Sequence, residues 1–175
     1  MAPVVALTGF MGSGKTSVGA AAAALLDWSF IDLDSEVERA LGVSIPEVFL
    51  QKGEEAFRRA ELETLRSVLL DGRSSGGVLL ALGGGTLIDP EAARVVKDAG
   101  FVIYLRVDPA TAWRRVAESD RPLATDETSF EALFARRAGV YENVADATVT
   151  VEQKSVRKLA REIAVLSRGL TSESP

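Results

Sequence analysis

The sequence of 175 residues contains neither cysteine nor histidine. Without cysteine it has no disulfide and no thiolate nucleophile, and without histidine it has no imidazole to move protons. Nearly every transition-metal site loses its usual ligands at the same time. Any chemistry must rest on Asp, Glu, Lys, Arg and backbone amides, with a hard cation bound through oxygen as the remaining metal option. The missing cysteines fit a cytosolic protein. Long apolar runs are lacking too. The longest, Ala20–Leu26, falls far short of the roughly 18 residues of a membrane span. The N-terminus has no basic stretch ahead of an apolar one, so Val4–Thr8 reads as a first strand and not as a signal peptide. Basic residues are in the minority, 20 against 25 acidic ones, for a net charge of −5. Nucleic acid is therefore not an expected partner, because phosphate backbones need a basic face. A small anion gripped by a few local arginines is still compatible with this balance.

What is present is ordinary for a globular chain: 47% hydrophobic and 26% charged residues. The length suits one domain spanning 1–175 with a real core. No long apolar surface stripe demands a partner, so a monomer is expected. Strand-like and helix-like segments alternate along the chain. Val4–Thr8, a strand ending at Phe30–Ile31, Val78–Leu82, Phe101–Val107 and Ala147–Val151 read as strands. Helices are expected over Lys15–Leu26, Ser35–Leu41, Glu54–Leu70, Pro90–Ala99, Pro109–Ala117, Thr128–Ala138 and Ser155–Leu166. Ser44 reads as a helix N-cap with Pro46 in the first turn. A polar stretch at about 115–127 reads as a mobile lid, and a tail at about 170–175 as disordered. This alternation implies βαβ units and a mostly parallel sheet with helices on both faces. Ligands of such sheets sit at the carboxyl ends of the strands.

The notable residues fall at those ends. Gly9-Phe10-Met11-Gly12-Ser13-Gly14-Lys15-Thr16 follows the first strand and opens a helix. Its glycines let successive amides turn inward on an anion, and the helix N-terminus adds free N–H groups. Lys15 can reach the β- and γ-phosphates, and the Thr16 hydroxyl can serve Mg²⁺. After the second strand come Asp32 and Asp34. One could hold a metal through its waters while the other meets an acceptor hydroxyl, since phosphoryl transfer relies on positioning and charge neutralisation. Spacing alone leaves open that Asp34 merely caps a helix. Arg58 and Glu61 are three apart on a helix and can pair. An arginine held so suits a bidentate grip on a carboxylate, though an exposed salt bridge has the same spacing. Gly83-Gly84-Gly85 allows close approach by a ligand or a flexible strand exit. Arg121 sits where a mobile basic residue could close over phosphates and exclude water. Arg114, Arg115, Arg136 and Arg137 lie nearby, each equally readable as a solvated surface charge.

Taken in order, these motifs resemble the shikimate kinases over nearly the whole chain. The resemblance runs from Gly9–Gly19 through Phe30-Ile31-Asp32-Leu33-Asp34, Gly42–Phe49, Gly53–Glu61 and Leu82–Gly85 to Arg121-Pro122-Leu123 and Arg137 four residues before Tyr141. It implies a three-layer α/β/α P-loop kinase fold with a five-stranded parallel sheet of order 2-3-1-4-5. It also implies ATP-dependent phosphorylation of the 3-hydroxyl of shikimate, in a cytoplasmic enzyme of aromatic amino-acid biosynthesis.

By the same resemblance, Gly12, Ser13, Gly14, Lys15, Thr16 and Ser17 bind the nucleotide. Lys15 and Arg121 act on the transferring phosphoryl group, and Thr16 binds Mg²⁺ with Asp32 behind it through water. Asp34 meets the acceptor hydroxyl, Arg58 and Arg137 hold the shikimate carboxylate, and Gly83, Gly84 and Gly85 line the pocket. Arg115 matches the position that stacks on adenine, with Arg114 a near competitor. Two departures stand out. The stretch between Arg115 and Arg121 is short, and Ala138-Gly139-Val140 replaces the family's usual proline and leucine before Tyr141. A gluconate kinase would share the cradle but not need two arginines for a carboxylate. A silent nucleotide-binding module would be expected to lose Asp34 or Arg58.

Overall fold

A computed structural model of the chain describes residues 3–71, 76–117 and 126–172. Five strands, β1 (Val4–Thr8), β2 (Ser29–Asp32), β3 (Val78–Ala81), β4 (Phe101–Arg106) and β5 (Ala147–Thr150), form one parallel sheet of order β2-β3-β1-β4-β5. Seven helices among the described residues connect them: α1 (Lys15–Leu26), α2 (Leu33–Leu41), α3 (Ile45–Asp71), α4 (Pro90–Ala99), α5 (Pro109–Ala117), α6 (Glu127–Val144) and α7 (Val156–Ser172). A short 3-10 turn, Thr86–Ile88, follows β3.

Alternation along β1 divides the core in two, because successive strand side chains point to opposite faces. Val5 and Leu7 join Leu79, Ile103 and Leu105 under α1, α5, α6 and α7. Val4 and Ala6 join Leu80, Leu82 and Val102 under α2, α3 and α4. β1 therefore has both faces covered and all five residues buried. Its carboxyl end opens centrally, between β3 and β4, which is where the P-loop emerges.

Several boundaries differ from those read off the sequence. α2 begins at Leu33, and its N-cap is Asp32, whose carboxylate accepts from Ser35 N. That leaves Asp34 in the first turn. α3 is two helical pieces joined at Gly53, where φ is 79°. The kink turns the first piece back so that the Phe49 and Phe57 rings lie 4.8 Å apart. Ser44 directly precedes the first piece, and its backbone N–H and hydroxyl both donate to the Glu47 carboxylate, at 2.9 and 2.6 Å. α6 continues six residues beyond Ala138. Without a proline nothing interrupts it, and Val140, Tyr141 and Val144 extend its inward stripe. α7 runs to Ser172, so the tail expected to be disordered from about 170 is helical at its start. Leu170 continues the apolar stripe of Leu159, Ile163 and Leu166 against the core.

Candidate active site

One cavity of about 1170 Å³ lies across the carboxyl ends of β1, β2 and β3. It is lined by residues 11–18, Asp32, Asp34, Arg58, Glu61, residues 82–85, Arg115 and Arg137. Every site residue expected from the sequence among the described residues therefore faces one space. Arg121 lies outside the described residues, as does 118–125 of the expected lid. The lid's flanks are 115–117, the last turn of α5, and 126–127, where Asp126 caps α6.

At the P-loop, Gly9, Gly12 and Gly14 all have positive φ, the region that L side chains rarely adopt. Gly12 is also constrained by space. A Cβ there would fall 2.8 Å from the Ala112 carbonyl oxygen, so α5 packs directly on the loop's backbone. Arg115 strengthens this contact by donating to the Gly12 carbonyl at 2.9 Å. Arg114 turns to Thr111 instead, so Arg115 is the member of the pair that reaches the cavity. Lys15 folds over the loop and donates to the Gly9 and Phe10 carbonyls at 2.7 and 3.2 Å.

Beside it, the Thr16 hydroxyl donates to Asp32 Oδ2 at 2.7 Å while Asp32 Oδ1 caps α2. A hydroxyl and a carboxylate so joined offer the hard oxygens that Mg²⁺ takes. No group of three or more acidic side chains gathers around a metal position among the described residues. Such a donor set suits an ion that keeps its waters and shares a nucleotide's phosphates.

The other half of the cavity is built on the glycine triplet. A Cβ at Gly83 would fall 2.5 Å from Asp34 Oδ1, and a Cβ at Gly85 would fall 2.5 Å from an Arg58 guanidinium nitrogen. Side-chain chemistry thus occupies the room that two of the glycines vacate. Arg58 is fixed from several sides: it donates to the buried Glu61 at 2.7 Å and lies over the Phe57 ring at 5.1 Å. Arg137 arrives from α6 and donates to the Gly84 carbonyl at 3.3 Å. Two guanidiniums therefore flank adjacent residues of one turn, an arrangement that fits a single carboxylate. The helix-cap position, one of the alternatives left open for Asp34, is taken by another residue, and the pairing expected between Arg58 and Glu61 is present. The helix cap is Asp32, and Arg58 pairs at 2.7 Å with the buried Glu61 and at 3.4 Å with the exposed Glu54.

Sequence reasoning missed several lining residues. Ile45, Pro46 and Phe49 form an apolar wall facing Arg58, and Lys154, Val156 and Leu159 line the end beyond the P-loop. Lys154 follows β5, and the carboxyl-end rule for parallel sheets points to that loop. The first group depends on the kink at Gly53, which brings two turns of separate helix together. Tyr141 was legible only as a landmark, yet its hydroxyl donates to the same Gly84 carbonyl at 2.5 Å. Burial raises the phenol to about 12, offset in part by the nearby Arg137 charge.

A central strand ending in a phosphate loop, in a parallel sheet of order 2-3-1-4-5, defines the fold of a P-loop kinase. A family model described as shikimate kinase matches residues 11–166. The shikimate kinase of Cupriavidus pinatubonensis is 40% identical over 162 residues, covering 90% of this chain and 82% of that relative. The structure of shikimate kinase from Acinetobacter baumannii in complex with shikimate is 32% identical, with a TM-score of 0.87 over 100% of this chain and 97% of the other. That of Aquifex aeolicus shikimate kinase is 29% identical, with a TM-score of 0.81 over 98% and 99%. This chain belongs to the shikimate kinase family.

Proposed function

We propose that this chain transfers the γ-phosphate of ATP to the 3-hydroxyl of shikimate, giving shikimate 3-phosphate and ADP, with each cavity residue in a defined role. The observation that carries the reading is the pair Arg58 and Arg137 on adjacent residues of the glycine turn, next to Asp34 and across from the phosphate loop. Family membership supplies the reaction, and this geometry supports the assignment of residues to it.

The amides of Gly12, Ser13, Gly14, Lys15, Thr16 and Ser17 face the phosphates at the start of α1. Lys15 moves from the Gly9 and Phe10 carbonyls to the transferring group, and Arg121 is assigned to the same group. Thr16 and Asp32 would hold Mg²⁺, which would supply charge neutralisation at the phosphate oxygens. Arg115 lies against the adenine. Arg58 and Arg137 orient the acceptor by its carboxylate against the backbone of Gly83, Gly84 and Gly85. Asp34 then accepts a hydrogen bond from the acceptor hydroxyl and takes its proton as the phosphoryl group arrives. In-line positioning of the two substrates does the rest, since little covalent chemistry is required of the protein.

The cytoplasmic, monomeric state inferred from composition belongs to the same proposal. No helix among the described residues is long and apolar enough to cross a membrane, and sedimentation of the purified chain checks the monomer. A coupled ADP-release assay with ATP and Mg²⁺ tests the reaction, offering shikimate, gluconate or no acceptor. Release should rise only with shikimate. The same rate in all three would overturn the proposal.

A further inference from the structure

The two arginines of the pocket stand on helices that both pack on the 3-10 turn after the glycine triplet. At one end of this turn the Thr86 hydroxyl donates to Glu61 Oε1 at 2.6 Å, while Glu61 Oε2 accepts from Arg58. Two residues earlier the Gly84 carbonyl accepts both from Arg137 and from Tyr141, which lies one helical turn further along α6. Thr86, Glu61 and Tyr141 are all buried. Buried polar groups arranged so have few other partners to turn to, which makes the geometry stiff. The Tyr104 ring packs against Tyr141 at 5.4 Å and limits its movement.

We propose that Tyr141 and Thr86 are positioning residues that set the distance between the Arg137 and Arg58 guanidiniums, and so tune how tightly this chain holds the carboxylate of its acceptor. The inference rests on the reading that those arginines grip a carboxylate. The two act two residues apart on the segment that follows β3: Tyr141 fixes the Gly84 carbonyl on which Arg137 leans, and Thr86 fixes Glu61, which aims Arg58. The Tyr141 phenol is protonated at neutral pH already at its ordinary value, and burial moves it further from ionisation, so the donor is always available. Neither residue need touch either substrate.

The test uses Tyr141→Phe, which keeps the ring and removes only the hydroxyl, with Thr86→Val and Thr86→Ser as an independent pair should Tyr141→Phe fold poorly. Initial rates are measured with shikimate and with its hydroxymethyl analogue, which lacks the carboxylate. Tyr141→Phe and Thr86→Val should each raise KM for shikimate about fivefold, leave KM for ATP within about twofold, and spare the analogue, as loss of one hydrogen bond acting on carboxylate binding requires. Thr86→Ser should restore the wild-type values. In an Arg137→Ala background, Tyr141→Phe should add nothing, because its effect passes through that arginine. Equal losses for both acceptors, or for ATP and shikimate together, would show a merely structural role and overturn the inference. An unchanged KM for shikimate in Tyr141→Phe, alongside a raised one in Arg137→Ala, would overturn it while leaving the carboxylate grip intact. If Arg137→Ala itself leaves KM unchanged, the grip and the inference fall together.

Discussion

The two halves of the cavity are built by opposite means. The phosphate cradle is one contiguous stretch, Gly9 to Thr16, working mostly through backbone amides at the start of α1. The acceptor half draws on side chains from α2, α3 and α6, set against a glycine turn after β3. In the first, chain geometry is the binding site. In the second, the backbone is thinned to glycine so that Asp34 and Arg58 can press against it. A site made of amides is fixed once its local conformation is fixed. A site made of distant side chains is only as well placed as the packing that brings its elements together.

Substitutions that spare one half and strike the other sharpen this comparison. The largest effect should come from Asp34→Asn. It keeps the shape but removes the proton acceptor, and turnover is predicted to fall about 10²- to 10⁴-fold with nucleotide affinity unchanged. An equal loss of ATP binding would move Asp34 into the cradle and break the division.

Gly83→Ala comes next. Its new methyl would meet the Asp34 carboxylate at 2.5 Å and both Glu61 and Thr86 at 3.0 Å. Displacement of that order is predicted to cost roughly 10- to 100-fold in turnover. Wild-type kinetics from this variant would mean that the glycines are not there to make room. Arg58→Ala is predicted to raise KM for shikimate about tenfold with a smaller change in kcat, because the contact is with an unreacting group. An unaltered KM would take Arg58 out of the pocket.

The smallest effect is on stability. The folded chain holds the Tyr141 proton up to about 12 against an ordinary 10, so the stabilisation is complete below pH 10 and is lost as pH rises through the folded value. Tyr104 is raised as well, again mainly by burial, and shares the loss. Alkaline unfolding of Tyr141→Phe should show a shallower fall of stability with pH over that window. A slope identical to that of the wild type would mean that the phenol is not held so firmly.

The legibility of the sequence followed the same division. The end of β1 and the start of α1 were readable to the residue, since Gly9 and Gly14, both with positive φ, punctuate them and the apolar run of β1 precedes the loop. The sheet order was reached by resemblance, and the parallel arrangement by the alternation of segments. Where reading faltered, the signal was not local. The ends of α6 and α7 depend on Val144 and Leu170 finding the core. Asp34 could not be told from a helix cap until Asp32 was found in that position.

By itself, then, the sequence determined the phosphate loop, the parallel α/β class and the absence of thiol and imidazole chemistry, and with it the loss of the usual ligands of nearly every transition-metal site. These depend on residue identity and on spacing within one turn or strand. Only the tertiary structure decided that Glu61 is a buried strut, that Arg115 and not Arg114 enters the cavity, and that Tyr141 and Arg137 meet at one carbonyl. Those facts depend on how α3, α5 and α6 seat on the ends of the strands. Contacts between residues 25 to 103 positions apart follow from packing two cores on a twisted sheet, and no local pattern encodes them.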